Sequence, residues 1–173
     1  MHIFLTGDIQ VGKTTVIRSF LSRSGLGADG FMTYWEPDDG GGRSLYLSPY
    51  NRDLRAGERY LIARDGAGRL ARAENMTGVF DIHGTEILNR SGKRDVIIMD
   101  ELGYLESKAE IFRQAVRRRI DGDVPVLGVI RFAKTECWDD IRAHPNATVR
   151  EVTAENRDAV LSWLLSKRER ALL

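Results

Sequence analysis

The stretch Gly7-Asp8-Ile9-Gln10-Val11-Gly12-Lys13-Thr14 decides how the rest of the chain is read. Its spacing, G-x-x-x-x-G-K-T, is that of a loop that wraps a polyphosphate. Glycine at each end lets the backbone turn tightly enough for successive N–H groups to converge on phosphate oxygens. The residues before it, His2-Ile3-Phe4-Leu5-Thr6, form a short apolar run that stops at a glycine, as a buried strand does. After it, Val16, Ile17, Phe20 and Leu21 recur at helical spacing. The helix opens at the loop and aims the positive end of its dipole there. On this reading Gly7, Asp8, Ile9, Gln10, Val11, Gly12, Lys13, Thr14 and Thr15 bind nucleotide. Lys13 reaches the β- and γ-phosphates, the Thr14 hydroxyl ligates Mg²⁺, and Thr15 meets the α-phosphate.

A second element answers the first. Val96-Ile97-Ile98-Met99 is an apolar run that ends in Asp100-Glu101, which predicts a central strand with carboxylates at its C-terminal end. Asp100 is expected to hold the metal opposite Thr14. Glu101 is expected to take the proton of an attacking water. Arg131 and Lys134 follow another apolar run, residues 124–130, at the sheet edge where ligands bind in such folds. Either could stabilise charge on a transferring phosphoryl group, and a solvent-exposed role fits each equally well.

Outward from these motifs, apolar runs alternate with helical patterns. Helices are expected over residues 80–89, 107–120, 138–143 and 154–167, and a further strand over 148–152. That alternation predicts an α/β fold in which a mainly parallel sheet carries helices on both faces. Residues 31–74 break the pattern with four short β-like runs (31–35, 43–47, 60–63 and 69–73) separated by turn clusters. One cluster, Asp65-Gly66-Ala67-Gly68, has the character of a hairpin turn. This segment is too short to bury a core of its own and reads as an antiparallel β excursion, leaving residues 1–173 as a single domain. Thr153 is the expected N-cap of the last helix, which explains Thr153 and Glu155 but neither Asn156 nor Arg157.

Composition narrows the function. The chain has 173 residues, 42% of them hydrophobic and 29% charged, with a net charge of +1. Such a balance creates no global field for nucleic acid or an anionic membrane, so neither is expected as a partner. The run Arg117-Arg118-Arg119 lies in a helical stretch and reads as a solvated face rather than a phosphate or RNA patch. The one cysteine, Cys137, suits a reducing compartment, and the apolar N-terminus is too short for a signal peptide. A cytoplasmic monomer is the expectation. His2, His83 and His144 lack metal-ligand spacing and read as structural. Trp138 and Trp163 read as packing residues.

The order of the motifs resembles the THEP1-type nucleoside-triphosphatases of the P-loop superfamily over nearly the whole chain. The likeness rests on residues 7–15, Gly30-Phe31-Met32-Thr33, Asp100-Glu101-Leu102-Gly103-Tyr104-Leu105-Glu106 and Val152-Thr153-Ala154-Glu155-Asn156-Arg157-Asp158. It implies a RecA-like P-loop domain. It also implies hydrolysis of the γ-phosphate of ATP, GTP and other nucleoside triphosphates, with Mg²⁺ and broad base tolerance. Lys13, Thr14, Asp100 and Glu101 match that family's phosphate, metal and water-activating positions, and Asn156 and Arg157 fall in a signature taken to lie near the base. Residues 36–75 depart from the family pattern, as does Leu105, which stands where methionine is common. Two rival readings use the same loop. One is a nucleotide or small-molecule kinase with Arg52, Arg55 and Arg59 as lid arginines; the other is a nucleotide-dependent switch without catalysis.

Overall fold

The computed structural model describes residues 1–39, 41–50, 57–66, 69–72, 76–131 and 136–169. Among the described residues there are eight strands: β1 (His2–Thr6), β2 (Ala28–Pro37), β3 (Arg43–Pro49), β4 (Tyr60–Gly66), β5 (Arg69–Arg72), β6 (Val96–Leu102), β7 (Val126–Ile130) and β8 (Ala147–Glu151). They form one sheet in the order β5-β4-β3-β2-β6-β7-β1-β8. Strands β2, β6, β7, β1 and β8 pair parallel, whereas β2–β3, β3–β4 and β4–β5 pair antiparallel. The excursion is therefore a wing grown on the sheet's edge. Its first strand, β2, is a full member of the parallel sheet, so the antiparallel part begins only at β3. Strands β4 and β5 pair antiparallel up to Gly66 and Arg69; Ala67, Gly68 and Gly40 lie outside the described residues.

Period-two alternation divides the core between the two faces. Ile3 and Leu5 of β1 and Val96 and Ile98 of β6 face helices α1 (Lys13–Ser24) and α6 (Arg157–Glu169), packing with Phe20, Leu21, Val160 and Leu164. Phe4, Ile97 and Met99 face the other way. There they meet the helices α3 (Thr85–Arg90), α4 (Glu110–Ile120) and α5 (Asp139–Arg142), through Leu88, Phe112, Val116 and Ile141. This two-sided cover is why the central strands are continuously apolar. Among the described residues no helix is long and apolar enough to cross a membrane.

Several boundaries differ from the sequence expectation, each for a local reason. The helix expected at 80–89 begins earlier, as a short α2 (Met76–Gly78) that runs through a π-helical turn, Val79–Gly84, into α3. There Asp81 Oδ1 accepts the Phe112 N–H (3.0 Å), capping α4, which starts at Glu110 rather than at 107. Residues 136–138 form a 3₁₀ turn before α5. The last helix starts at Arg157, so Thr153 is not its N-cap. Instead Asn156 Oδ1 accepts the Thr153 N–H (2.8 Å) and Asn156 Nδ2 donates to the Glu151 carbonyl (3.1 Å), which closes a turn between β8 and α6.

The arginine run is more engaged than a solvated face. Arg117 pairs with Asp140 on α5, and Arg119 donates to the Leu88 and Asn89 carbonyls at the end of α3, with Arg118 left exposed. His2 is buried in β1 beside His144, and burial first of all pushes its pKa down to about 4, which keeps it neutral.

Gly30 is a point of close approach in the β2–β6 pairing. It sits at φ +113°, and a Cβ there would lie 2.1 Å from the Ile98 carbonyl oxygen. Backbone cannot give way as a flexible side-chain end does. Gly30→Ala is therefore expected to destabilise the protein by roughly 2–4 kcal/mol through backbone strain and lost strand pairing, read as a lower urea midpoint at unchanged slope.

Candidate active site

All the parallel strands end on one edge, and the loop of residues 7–12 lies there between β1 and α1. Three residues of this loop carry positive φ: Gly7 (+132°), Gln10 (+64°) and Gly12 (+96°). The loop is wedged as well as turned. A Cβ on Gly7 would lie 2.2 Å from the Val152 carbonyl oxygen, and one on Gly12 would lie 2.9 Å from Arg157 Cδ. The end of β8 and the start of α6 therefore shape the loop from outside. Arg157, which local capping did not explain, lies against the phosphate loop; Asn156 holds the turn that brings it there.

Lys13 is the first residue of α1 and is buried. Its ammonium donates to the carbonyls of Gly7 (2.9 Å) and Asp8 (2.6 Å), so the charge is held across the loop's own first half. One residue on, the Thr14 hydroxyl stands close to the carboxylate of Asp100, which is buried within β6. Burial is the main reason that the Asp100 pKa rises to about 6. The nearby Thr14 hydroxyl opposes the rise, Glu101 adds to it, and Arg18 and Lys13 oppose it. Arg18 escaped the sequence reading. It stands four residues after Thr14, one helical turn away on the same face, and that spacing was the available signal.

Glu101 is half-buried and leads into a tightly tied segment. The β6–β7 register shifts between Met99 and Leu102. Just beyond, the Gly103 N–H donates to the buried Glu106 carboxylate, and the buried Trp138 donates its indole N–H to the Gly103 carbonyl (2.9 Å). The Arg131 N–H donates to the Leu102 carbonyl (2.9 Å), and the Arg142 guanidinium donates to the Arg131 carbonyl. Arg131 Cδ and Glu101 Oε1 both come within 3.5 Å of where a Gly103 Cβ would stand. Arg131 and Glu101 thus both lie against Gly103. Lys134, Arg52 and Arg55 lie outside the described residues. Arg59 is engaged elsewhere, in an ion pair with Glu36 (2.5 Å) and over the Tyr46 ring at 4.8 Å.

Glu106 and the hydrogen bond of Trp138 were missed by sequence reading, because nothing local marks a glutamate as buried. Burial pushes the Glu106 pKa up to about 7; the Gly103 hydrogen bond opposes this, Glu101 adds to it and Arg131 opposes it. In the unfolded chain the same carboxyl titrates near its ordinary 4.5. The folded state therefore holds the proton more tightly. The destabilisation is absent below about pH 4.5, grows as pH rises, and is complete above about 7. Its full size is ~3 kcal/mol. Glu106→Gln removes the titration, so the variant's stability relative to the native protein is expected to increase between pH 4.5 and pH 8. Urea unfolding across that range measures it, and contributions from Asp100 and His2 cancel in the difference.

Comparison with known proteins places the chain in one family. Residues 2–165 match the family model described as NTPase. The nucleoside-triphosphatase THEP1 of Methanopyrus kandleri is 35% identical, covering 94% of this chain and 97% of that protein. The human cancer-related nucleoside-triphosphatase is 30% identical over 92% of each. The crystal structure of THEP1 from Aquifex aeolicus superposes with a TM-score of 0.72 at 29% identity, covering 96% of this chain and 98% of that one. Its phosphate loop, the acid-tipped strand facing it and this full-length likeness together make the chain a member of the THEP1-type nucleoside-triphosphatase family.

Proposed function

We propose that the chain hydrolyses nucleoside triphosphates to diphosphate and phosphate by in-line attack of water on the γ-phosphate, with Mg²⁺ and without strict choice of base. The observation that carries this is the approach of Thr14, at the phosphate loop, to buried Asp100 at the acidic end of β6, with Glu101 next in the chain. The names of the relatives, nucleoside-triphosphatases in archaea, bacteria and mammals, support the reaction class.

The donor set suits magnesium. Mg²⁺ prefers oxygen, keeps several waters and takes one or two protein oxygens plus substrate phosphates rather than a protein cage. Thr14 and Asp100 offer two such oxygens on facing elements, and among the described residues no cluster of three His, Cys, Asp or Glu is gathered for a caged metal. When bound, the ion neutralises charge on the phosphate oxygens.

The remaining roles belong to the chain. The loop N–H groups of residues 7–15 and the α1 dipole receive the phosphates. Lys13 exchanges its two carbonyl partners for phosphate oxygens. Glu101 orients the water and takes its proton, and Arg131, which lies against the same Gly103, stabilises the charge that develops on the transferred group. Lys134 is proposed for the same task. Arg157, lying on Gly12, contacts the nucleotide, and Asn156 holds it in place. With Arg59 already paired to Glu36, water is favoured over an alcohol as acceptor. The reading takes the protein as a cytoplasmic monomer that acts on free nucleotides.

Phosphate release from ATP, GTP, CTP and UTP with Mg²⁺ and no added acceptor tests this, and turnover of all four is expected. Diphosphate formed only when an acceptor is supplied, with the phosphoryl group carried on that acceptor and no free phosphate released, would make the protein a kinase. Lys13→Ala is expected to abolish nucleotide binding. Glu101→Gln should leave binding within a few-fold while kcat drops by roughly 10²–10⁴-fold.

A further inference from the structure

We propose that Glu106 is a positioning residue for Glu101, acting through the Gly103 peptide that Trp138 grips from the other side. The inference rests on the role proposed above for Glu101. Gly103 lies one residue past the end of β6, so its N–H has left the strand ladder, and it is buried away from water. A buried N–H without an acceptor is costly, and here the acceptor is the Glu106 side chain, three residues on. On the opposite side of Gly103, the carbonyl is held by the Trp138 indole at 2.9 Å. One residue thus has both polar groups fixed by side chains from two different segments.

What is fixed is the floor under Glu101. Glu101 Oε1 and Arg131 Cδ each approach within 3.5 Å of the point where a Gly103 Cβ would project. A shift of Gly103 therefore moves the surface on which the carboxylate rests and its spacing to Arg131. Packing alone gives no reason for a carboxylate at position 106, since burying one opposes its ionisation and an apolar side chain would fill the same space. The acceptor for Gly103 is the reason, and the short span from Asp100 to Glu106 is one device for aiming a base.

Three single variants test it by steady-state hydrolysis, binding of a non-hydrolysable nucleotide and thermal melting. Glu106→Ala, which strands the Gly103 N–H, is expected to lower kcat by roughly tenfold or more, with KM and nucleotide affinity within about threefold, because misaiming a catalytic group slows chemistry without loosening the phosphate loop. Glu106→Gln retains an acceptor oxygen and is expected to restore kcat to within about threefold of the native value. Trp138→Phe removes the other grip and is expected to lower kcat several-fold at unchanged affinity, which keeps the test decisive should Glu106→Ala fail to fold. Unchanged kcat in Glu106→Ala or in Trp138→Phe overturns the proposal. So does a Glu106→Gln variant as slow as Glu106→Ala. Glu101→Gln, run alongside, separates the two ideas. If it stays active, the base assignment falls; if it is slow while Glu106→Ala is fast, only the positioning role falls.

Discussion

The meeting of Thr14 with buried Asp100 is the constraint around which the site is arranged. It joins the first turn of α1 to the end of β6, two elements separated by β2 and the whole wing in sequence. For the pair to meet, β6 must sit near β1 with only β7 between them, all running the same way, and α1 must cover the face to which Asp100 points. Period-two alternation sets that last condition. Val96, Ile98 and Asp100 share a face, so the residues that bury against α1 also carry the carboxylate toward it.

The site balances charge in a confined volume. Asp100 and Glu106 are both buried and both hold protons more tightly than free carboxyls, while Lys13, Arg18 and Arg131 pull the other way. Neither acid is left bare: Thr14 partners one and Gly103 the other. Burial of this kind works against folding, and the two-faced apolar core of the central strands is what offsets it.

The wing serves the sheet as much as itself. By pairing with β6, β2 covers an edge that would otherwise present unpaired backbone. The close approach of Gly30 to Ile98 shows how tightly that pairing is drawn. On the wing, Arg59, Glu36 and Tyr46 satisfy one another, which accounts for an arginine there without a ligand.

The phosphate loop, the acid-tipped strand and the alternation of strands with helices were legible in the sequence by itself. They rest on local rules: glycine where φ is positive, apolar residues at period two or at helical spacing, and acids at a strand end. Even the wing announced itself by its turn residues. What only the tertiary structure decided are the contacts between distant segments that local rules do not address. Arg157 lies on Gly12 because α6 starts beside the loop, and that start was moved by the Asn156 turn. Arg119 spends its charge on the end of α3. Glu106 became a buried acceptor because β6 loses register with β7 and leaves Gly103 outside the ladder. A residue's type states which bonds it can make. Which partner desolvates it and holds it is fixed by packing across the sheet, and no spacing along the chain encodes that distance.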